Sequence, residues 1–561
     1  MVASWLQPMH LLPWMTWHSE LLAFAAIVVA IVSVAWRPAR VGTAGLEVPN
    51  IVVLPMAVMV LLGIQFAIGQ VQFLGDAVVI AMYLMGAAIA LVVGHALYQR
   101  GNFSEPSSSS ASPMEILAKL IAVAAVLSVG IALVQAVGVW ESQSWINRTA
   151  SFRRSGANIG QPNNLATLVL MGCVSVAVLY EKKCLSSSMA IVLQCLLIVG
   201  LAMTESRTGL LGAGILTAWW AIKRGAIASR ITAMCVAGLW VLLLSAVWAW
   251  PQWITGFHFA SDTKDAAAVI NTAAGTRVVV WPQLMSAVLL HPWIGWGLRE
   301  VSRAHNAVLD QYASSEPFTY AHNILLDSAI GAGLPLTVSL VGLGTLWLWR
   351  RTSAAKSTSS WYCIALCLPV VVHSFLEFPF AYAYFLFPVM LFIGALEAEL
   401  APGRTFRLPQ RLLAGIITLA TTVMVWSAVE YVAVEEDFRI ARFEALNVGK
   451  TADEYVRPNI VLLTQLRAML EATRVVPKPK MSDEQIELLR SAALRFPWTA
   501  VQNRYALSLA LNGNALESIR QIKVMRAMHG EQTHQSLMKN WAGLMDTKYP
   551  QLAEVLIAIE K

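Results

Sequence analysis

Twelve apolar stretches of membrane-crossing length, joined by loops that are alternately rich and poor in basic residues, leave this chain few ways to fold. Windows of about 17 to 25 apolar residues lie near 20–36, 50–69, 76–98, 114–138, 164–180, 186–204, 208–222, 231–250, 322–349, 361–376, 381–399 and 411–432. Arg37 and Arg40, Arg100, Lys182 and Lys183, Lys223, Arg224 and Arg230, Arg350, Arg351 and Lys356, and Arg404, Arg407 and Arg411 all fall in alternate loops. Short basic loops stay on the cytoplasmic side of a membrane, so these loops are assigned there. The amino terminus, with no Lys or Arg before the first span, is assigned to the outer face, and twelve crossings return the carboxyl tail to that face. Basic residues after the first span, not before it, argue against a cleaved signal peptide.

Composition agrees. With 57% apolar and 13% charged residues, the chain carries more apolar surface than a soluble domain buries, and the lipid bilayer is the partner that covers the excess. Much of the formal charge of +7 sits in topology-setting loops, so it gives no reason to expect nucleic acid. Cys173, Cys195, Cys235, Cys363 and Cys367 fall in expected spans and Cys184 in a cytoplasmic loop, which implies no disulfide framework. The expected fold class is an all-α polytopic membrane protein of about 12 transmembrane helices, with a large outer loop and a helical tail.

The outer loop runs from about residue 251 to 320, and its segment TRVVVWPQLMSAVLLHPWIGWG combines helical apolar spacing with interfacial tryptophans, as a lid docked on the membrane face would. Domain boundaries follow: residues 1–432 form the transmembrane domain including loop 251–320, and 433–561 a soluble helical domain. Apolar positions recur at helical spacing in DEQIELLRSAALRFP and NRYALSLALNGNALESIRQIKVMRAM. Such paired helices resemble a tetratricopeptide-like repeat, although no clean period is present; a helical-hairpin domain without repeats fits equally.

The residues that break the charge pattern mark the candidate site. Arg148, Arg153 and Arg154 precede the fifth span, Arg207 lies in the short turn between the sixth and seventh, and Arg277, Arg299 and Arg303 lie in the outer loop. Charge at an apolar boundary is costly and is retained for function, and these arginines together would make a cationic basin. A guanidinium donates two parallel hydrogen bonds to phosphate and keeps its charge, which points to a phosphate-linked lipid substrate. Scattered solvated arginines are the competing reading, least apt for Arg207 in MTESRTGL. His322 and Asn323 open the ninth span in TYAHNILLDSAIGAGLP; an imidazole there can accept a hydroxyl proton while Asn323 or Asp327 orients neighbouring groups, although a lone membrane histidine often serves packing alone. In NIGQPNNLAT, Gln161, Asn163 and Asn164 offer uncharged contacts to sugar or diphosphate, with Pro162 starting a helix. HSFLEFPFAYAYF places His373 and Glu377 at i, i+4 spacing and then Tyr382 and Tyr384, which read as interfacial anchors or substrate contacts.

GQPNN at 160–164, SRTG at 206–209, the segment 276–297 ending in HPWIGWG, AHN at 321–323 and EFPFAYAYF at 377–385 occur in an order and spacing that resembles the bacterial O-antigen ligase superfamily, and within it the protein O-oligosaccharyltransferase branch, the pilin glycosylases. The resemblance implies a metal-independent, cofactor-free glycosyltransferase of the bacterial inner membrane, with active site and tail in the periplasm. The glycan would pass from undecaprenyl diphosphate to a Ser or Thr hydroxyl of a periplasmic acceptor such as pilin. It also implies His322 as catalytic base, Arg207 and Arg277 as diphosphate ligands, and Gln161, Asn163, Asn323, Tyr382, Tyr384, Arg153 and Arg154 as substrate contacts. The outer-loop acids Asp262, Asp265, Glu300, Asp310 and Glu316 are too dispersed to recommend a divalent-cation site. An O-antigen ligase acting on lipid A-core or an O-antigen polymerase remains an alternative of the same chemistry. A polytopic transporter is the rival from another class, but it predicts charges near span centres and related halves, neither of which is present here.

Overall fold

The computed structural model describes residues 1–35, 45–102, 112–138, 144–147, 154–257, 263–446 and 448–560, the side chains of 100–102, 255–276 and 560 excepted. Arg37, Arg40, Arg148 and Arg153, and the side chains of Arg100, Asp262 and Asp265, therefore lie outside the described residues. In chain order the helices are α1 (Val2–Leu6), α2 (Trp17–Ala35), α3 (Val53–Ala67), α4 (Leu74–Asn102), α5 (Pro113–Val137), α6 (Pro162–Glu181), α7 (Ser187–Met203), α8 (Arg207–Lys223), α9 (Ala233–Phe257) and α10 (Thr263–Leu290). They continue with α11 (Val301–Asn306), α12 (Ile324–Ala332), α13 (Leu334–Ala354), α14 (Thr358–Ser374), α15 (Ala383–Leu400) and α16 (Gln410–Ala445). The tail adds α17 (Thr464–Arg474), α18 (Asp483–Arg495), α19 (Thr499–Leu511), α20 (Ala515–Thr547) and α21 (Ala553–Glu560).

Among the described residues, eight helices are long and apolar enough to cross a membrane: α2, α3, α4, α5, α6, α9, α15 and α16. The protein is therefore a multi-pass helical membrane protein. Helices also occupy the segments expected at 186–204, 208–222 and 361–376, but α7, α8 and α14 have only 17 residues each, near the lower limit for a crossing. The single span expected at 322–349 is two helices, because Gly333 between α12 and α13 takes φ 81° and ψ 166°, a conformation that glycine alone adopts freely. Two short strands not foreseen from the sequence, β1 (Leu46–Pro49) and β2 (Thr405–Leu408), pair antiparallel with Glu47 opposite Arg407.

The chain divides into two compact units. Unit 1 comprises Met1–Val58, Met82–Ala268 and Leu343–Met424; unit 2 comprises Met59–Ala81, Val269–Gly342 and Val425–Lys561. In unit 1, α4 and α15 cross at backbone contact: a Cβ added at Gly94 would strike the Leu391 carbonyl, and one added at Gly394 would strike that of Leu91. With lipid as apolar as the side chains, helices associate through such close, small-residue packing. Glu397 of α15 accepts hydrogen bonds from the Trp347 indole at 2.8 Å and from Arg351 at 2.6 and 2.7 Å.

Unit 2 shows how the polar tail is built onto an apolar helix. At 36 residues α16 is about 54 Å long, more than a hydrocarbon core of about 30 Å. It runs unbroken through Val432, so the change in composition there does not end a helix. Glu430 accepts from the backbone N–H groups of Val461, Leu462 and Leu463 at 2.9–3.0 Å, supplying the negative charge that the N-terminus of α17 favours. Arg474 at the end of α17 returns to Asp437 of α16 with two hydrogen bonds of 2.7 Å. Each of α17 to α21 packs on the next, and a left-handed Gly530 breaks α20 into two segments.

Candidate active site

The expected site residues divide between the units. In unit 1 the network centres on Asn163. Gln161 caps α6, its side-chain oxygen accepting from the Asn164 N–H at 3.1 Å. Pro162 follows at the first helical position, where a missing N–H costs nothing. The next residue, Asn163, donates to Glu377 at 3.4 Å and accepts from the Ser206 hydroxyl at 2.7 Å. Ser206 also caps α8, accepting from the Gly209 N–H at 2.9 Å. The sequence pattern had paired His373 with Glu377. The Glu377 N–H donates to the His373 carbonyl, and His373 Nδ1 lies 2.8 Å from the Thr167 hydroxyl on α6.

Arg207 is the first residue of α8 and is exposed. The turn before it is shaped by Glu205, which takes φ 45°, and by the Ser206 cap. A cation at a helix N-terminus opposes the helix dipole by about 0.3–1 kcal/mol, whereas an anion bound there gains from both. Arg154 supports this turn, its Nε donating to the Thr204 carbonyl at 3.3 Å. Tyr382 is half-buried and stacks on Tyr384, the ring centroids 5.2 Å apart and the planes 13° from parallel. Tyr384, expected as a substrate contact, is instead a core side chain at 2% exposure. It backs the Tyr382 ring. His10 was not anticipated: its Nε2 lies 2.8 Å from the Asn158 carbonyl, within the tract that leads to Gln161. A lone histidine in an uncharged leader carries no periodic signal that would reveal this.

In unit 2 the site is built around His322. The peptide before it is held from two sides. The Ala321 N–H donates to both carboxylate oxygens of Asp327 at 3.1 Å, and the Ala321 carbonyl accepts from the Trp281 indole of α10 at 2.9 Å. Asp327 thus orients the loop and not the imidazole itself. His322 takes φ 54°, a left-handed conformation that a non-glycine residue holds only when its surroundings impose it. Its ring tilts against Phe318, the centroids 4.6 Å apart, and is half-exposed. Asn323 caps α12, accepting from the Leu325 and Leu326 N–H groups at 3.0 and 3.2 Å. Arg277 lies four residues before Trp281 on α10, so it shares the helix face that grips the His322 loop. Partial burial raises the Glu316 carboxyl from its ordinary value, and the nearby His322 opposes the shift.

Arg299 and Arg303 do not join an open cationic basin. Arg299 stacks 5.2 Å over Tyr320 and lies 3.8 Å from Asp76, while Arg303 lies 3.5 Å from Glu300 and donates to the Trp296 carbonyl at 2.7 Å. The tail braces the same loop: Arg520 donates to the Asn306 carbonyl at 3.0 Å, and the Ser315 N–H to the Ala527 carbonyl at 2.8 Å. Beneath it His305 is fully buried, within 3.0 Å of Gln283 and 3.2 Å of Ser315, and burial holds its imidazole down to about 4 from an ordinary 6.5. The unfolded chain binds this proton more readily than the folded one, so stability is full above about 6.5 and declines towards about 4. Melting temperatures across that range are expected to fall with pH in the native chain and less steeply in His305→Gln.

An O-antigen ligase family model matches residues 192–341, and a model of the C-terminal part of virulence factor membrane-bound polymerases matches residues 361–541. The chain is 24% identical over 538 residues to a general O-oligosaccharyltransferase of Acinetobacter baylyi (strain ATCC 33305 / BD413 / ADP1), covering 94% of this chain and 90% of that one. It is 25% identical over 344 residues to a ComP-specific O-oligosaccharyltransferase of the same organism, covering 61% of this chain and 60% of that one. No solved structure matches it.

Proposed function

Because the chain belongs to the O-antigen ligase superfamily and to its protein O-oligosaccharyltransferase branch, we propose that it transfers a preassembled glycan from undecaprenyl diphosphate to a Ser or Thr hydroxyl of a periplasmic protein such as pilin. The observation that carries this reading is the two-sided grip on Ala321, which fixes His322 at an exposed loop on the face shared with Arg277. In this mechanism His322 accepts the acceptor's hydroxyl proton, the freed oxygen bonds to the anomeric carbon, and the bond from that carbon to the diphosphate oxygen breaks. Arg277 and Arg207 stabilise the diphosphate as it departs, without a metal ion. Asn163 and Tyr382 contact the glycan, and Gln161, Asn323 and Arg154 hold the turns that present the site.

Purified protein given an undecaprenyl-diphosphate-linked oligosaccharide and an acceptor pilin is expected to add the glycan's mass to a Ser- or Thr-containing pilin peptide. Transfer to lipid A-core with pilin masses unchanged would replace the protein acceptor with a lipid one, and no transfer to either would overturn the reading. Arg207→Lys and Arg277→Lys are each expected to lose most of the rate, since lysine keeps the charge but not the planar fork; undiminished kcat/KM in both would reduce the arginines to a diffuse field. The site and tail are proposed to face the periplasm of an inner-membrane protein. Alkaline phosphatase fused after Ala445 should then be active and fused after Lys183 inactive, and the reverse pattern would reject that orientation.

A further inference from the structure

Helix α10 has two apolar faces, and the fold uses one. Val280, Leu284, Ala287 and Val288 have no exposed surface and form the core of the loop in unit 2. Val278, Met285 and Leu289, on the opposite side of the same helix, are 75%, 46% and 65% exposed, and the turn that follows presents Trp293 and Ile294 at 77% and 59%. Spacings of seven and four residues put the first three on one stripe. From Val278 to Ile294 no exposed residue is Asp, Glu, Lys or Arg. A face of this kind in water would be an association or aggregation surface.

We propose that this face of α10, from Val278 to the Trp293–Ile294 turn, lies in the interfacial layer of the lipid bilayer on the side where His322 opens. Charge argues against a crossing: Lys264 and Asp265 lie near the start of α10 and Arg277 in its middle, so the uncharged apolar run that follows, 278–290, extends about 20 Å at 1.5 Å per residue, short of the hydrocarbon thickness of about 30 Å, and segments of this length are interfacial or re-entrant. The tip is chemically suited to that layer, because an indole buries its ring among acyl chains and keeps its N–H near the headgroups.

The occupant is lipid and not a protein partner because the stripe is continuous with the exposed apolar face of α13, a helix of 21 residues. The Leu334 N–H, at the start of α13, donates to the Pro292 carbonyl at 2.7 Å, and the Trp296 N–H donates to the Ile330 carbonyl at 2.7 Å. These bonds fix the Trp293–Ile294 turn against the α12–α13 junction, where the first turns of α13 expose Val338 and Val341 at 68% and 40%. The stripe of α10 therefore runs onto a second exposed apolar face, and the two together make a surface that lipid covers better than water. Its depth has a consequence for the loop, since Trp281 on α10 grips Ala321: the immersed face sets the height of His322 above the bilayer.

The test reads depth and not activity, so its failure leaves the transfer reading intact. In the full-length chain, the exposed Cys184 and Cys235 are changed to serine, Leu289→Cys is added, and the new thiol is labelled with bimane before reconstitution into phosphatidylcholine and phosphatidylglycerol vesicles. Nitroxide placed high on the lipid acyl chain should quench the label, and iodide in the buffer should not. Gln311→Cys, exposed elsewhere on the loop, should give the reverse. Iodide quenching at Leu289→Cys without lipid quenching overturns the proposal, and so does protection from both quenchers, which would mean that a protein covers the face. If Leu289→Cys does not fold, Trp293→Cys carries the same prediction.

Discussion

His322→Ala is expected to abolish glycan transfer while leaving a folded, membrane-inserted protein, the largest loss among single substitutions in the site. Removing a positioned general base costs about 10² to 10⁴ in rate. Two features confine the loss to chemistry. The ring lies partly exposed against Phe318, and the loop is held through the Ala321 peptide by Trp281 and Asp327. Alanine does meet a left-handed backbone at this position, and His322→Asn separates the two effects, since asparagine tolerates that conformation but cannot serve as a base. Both variants should be inactive in the transfer assay and melt close to wild type. Activity in His322→Asn would show that the site needs the backbone shape and not the proton acceptor.

Asp327 gives the complementary case of a residue that acts through another. Its carboxylate accepts from the Ala321 N–H, next to His322 in the chain. Asp327→Asn keeps one acceptor oxygen and should lower kcat without altering the pH at which the base titrates, whereas a direct role in proton transfer would move that pH.

The apolar windows placed most helices well because hydropathy over twenty residues records the bilayer, and the bilayer constrains every backbone group within it. The method failed where a local conformation decided the outcome. Gly333 splits the ninth window into two helices, and a single glycine barely changes an average. α16 passes Val432 without a break, because helix geometry does not respond to the change from lipid to water that composition reports so clearly. Among the candidate residues, those that announce themselves by type can be picked out from sequence: Arg207, Arg277 and His322 stand out as ionisable groups beside apolar stretches. Groups that work through the backbone were not. Trp281 reads as one more interfacial indole, Ser206 as an ordinary cap, and the burial of Tyr384 beneath Tyr382 follows from a tertiary contact that periodicity does not encode.

One charge pair within unit 2 carries no signal in the sequence at all. Arg495, at the end of α18 in the tail, donates two hydrogen bonds of 2.7 Å to Asp76 in the first turn of α4, with side chains only 7% and 3% exposed. The partners are more than four hundred positions apart, so no window joins them. Arg495→Ala leaves Asp76 buried with only Arg299 at 3.8 Å for a counter-charge, and stranding one partner of a buried pair costs about 3–5 kcal/mol. The purified variant is therefore expected to denature at markedly lower temperature than the native protein. Replacing both partners, as Asp76→Asn with Arg495→Met, should recover much of the loss, because the cost comes from the abandoned charge and not from absence of the pair. Transfer should fall in the single variant as well: Arg299, drawn towards the unpaired Asp76, would leave its place over Tyr320, two residues before His322. An Arg495→Ala protein that melts and transfers like the native chain would show that the tail can be released from α4 without consequence for the His322 loop.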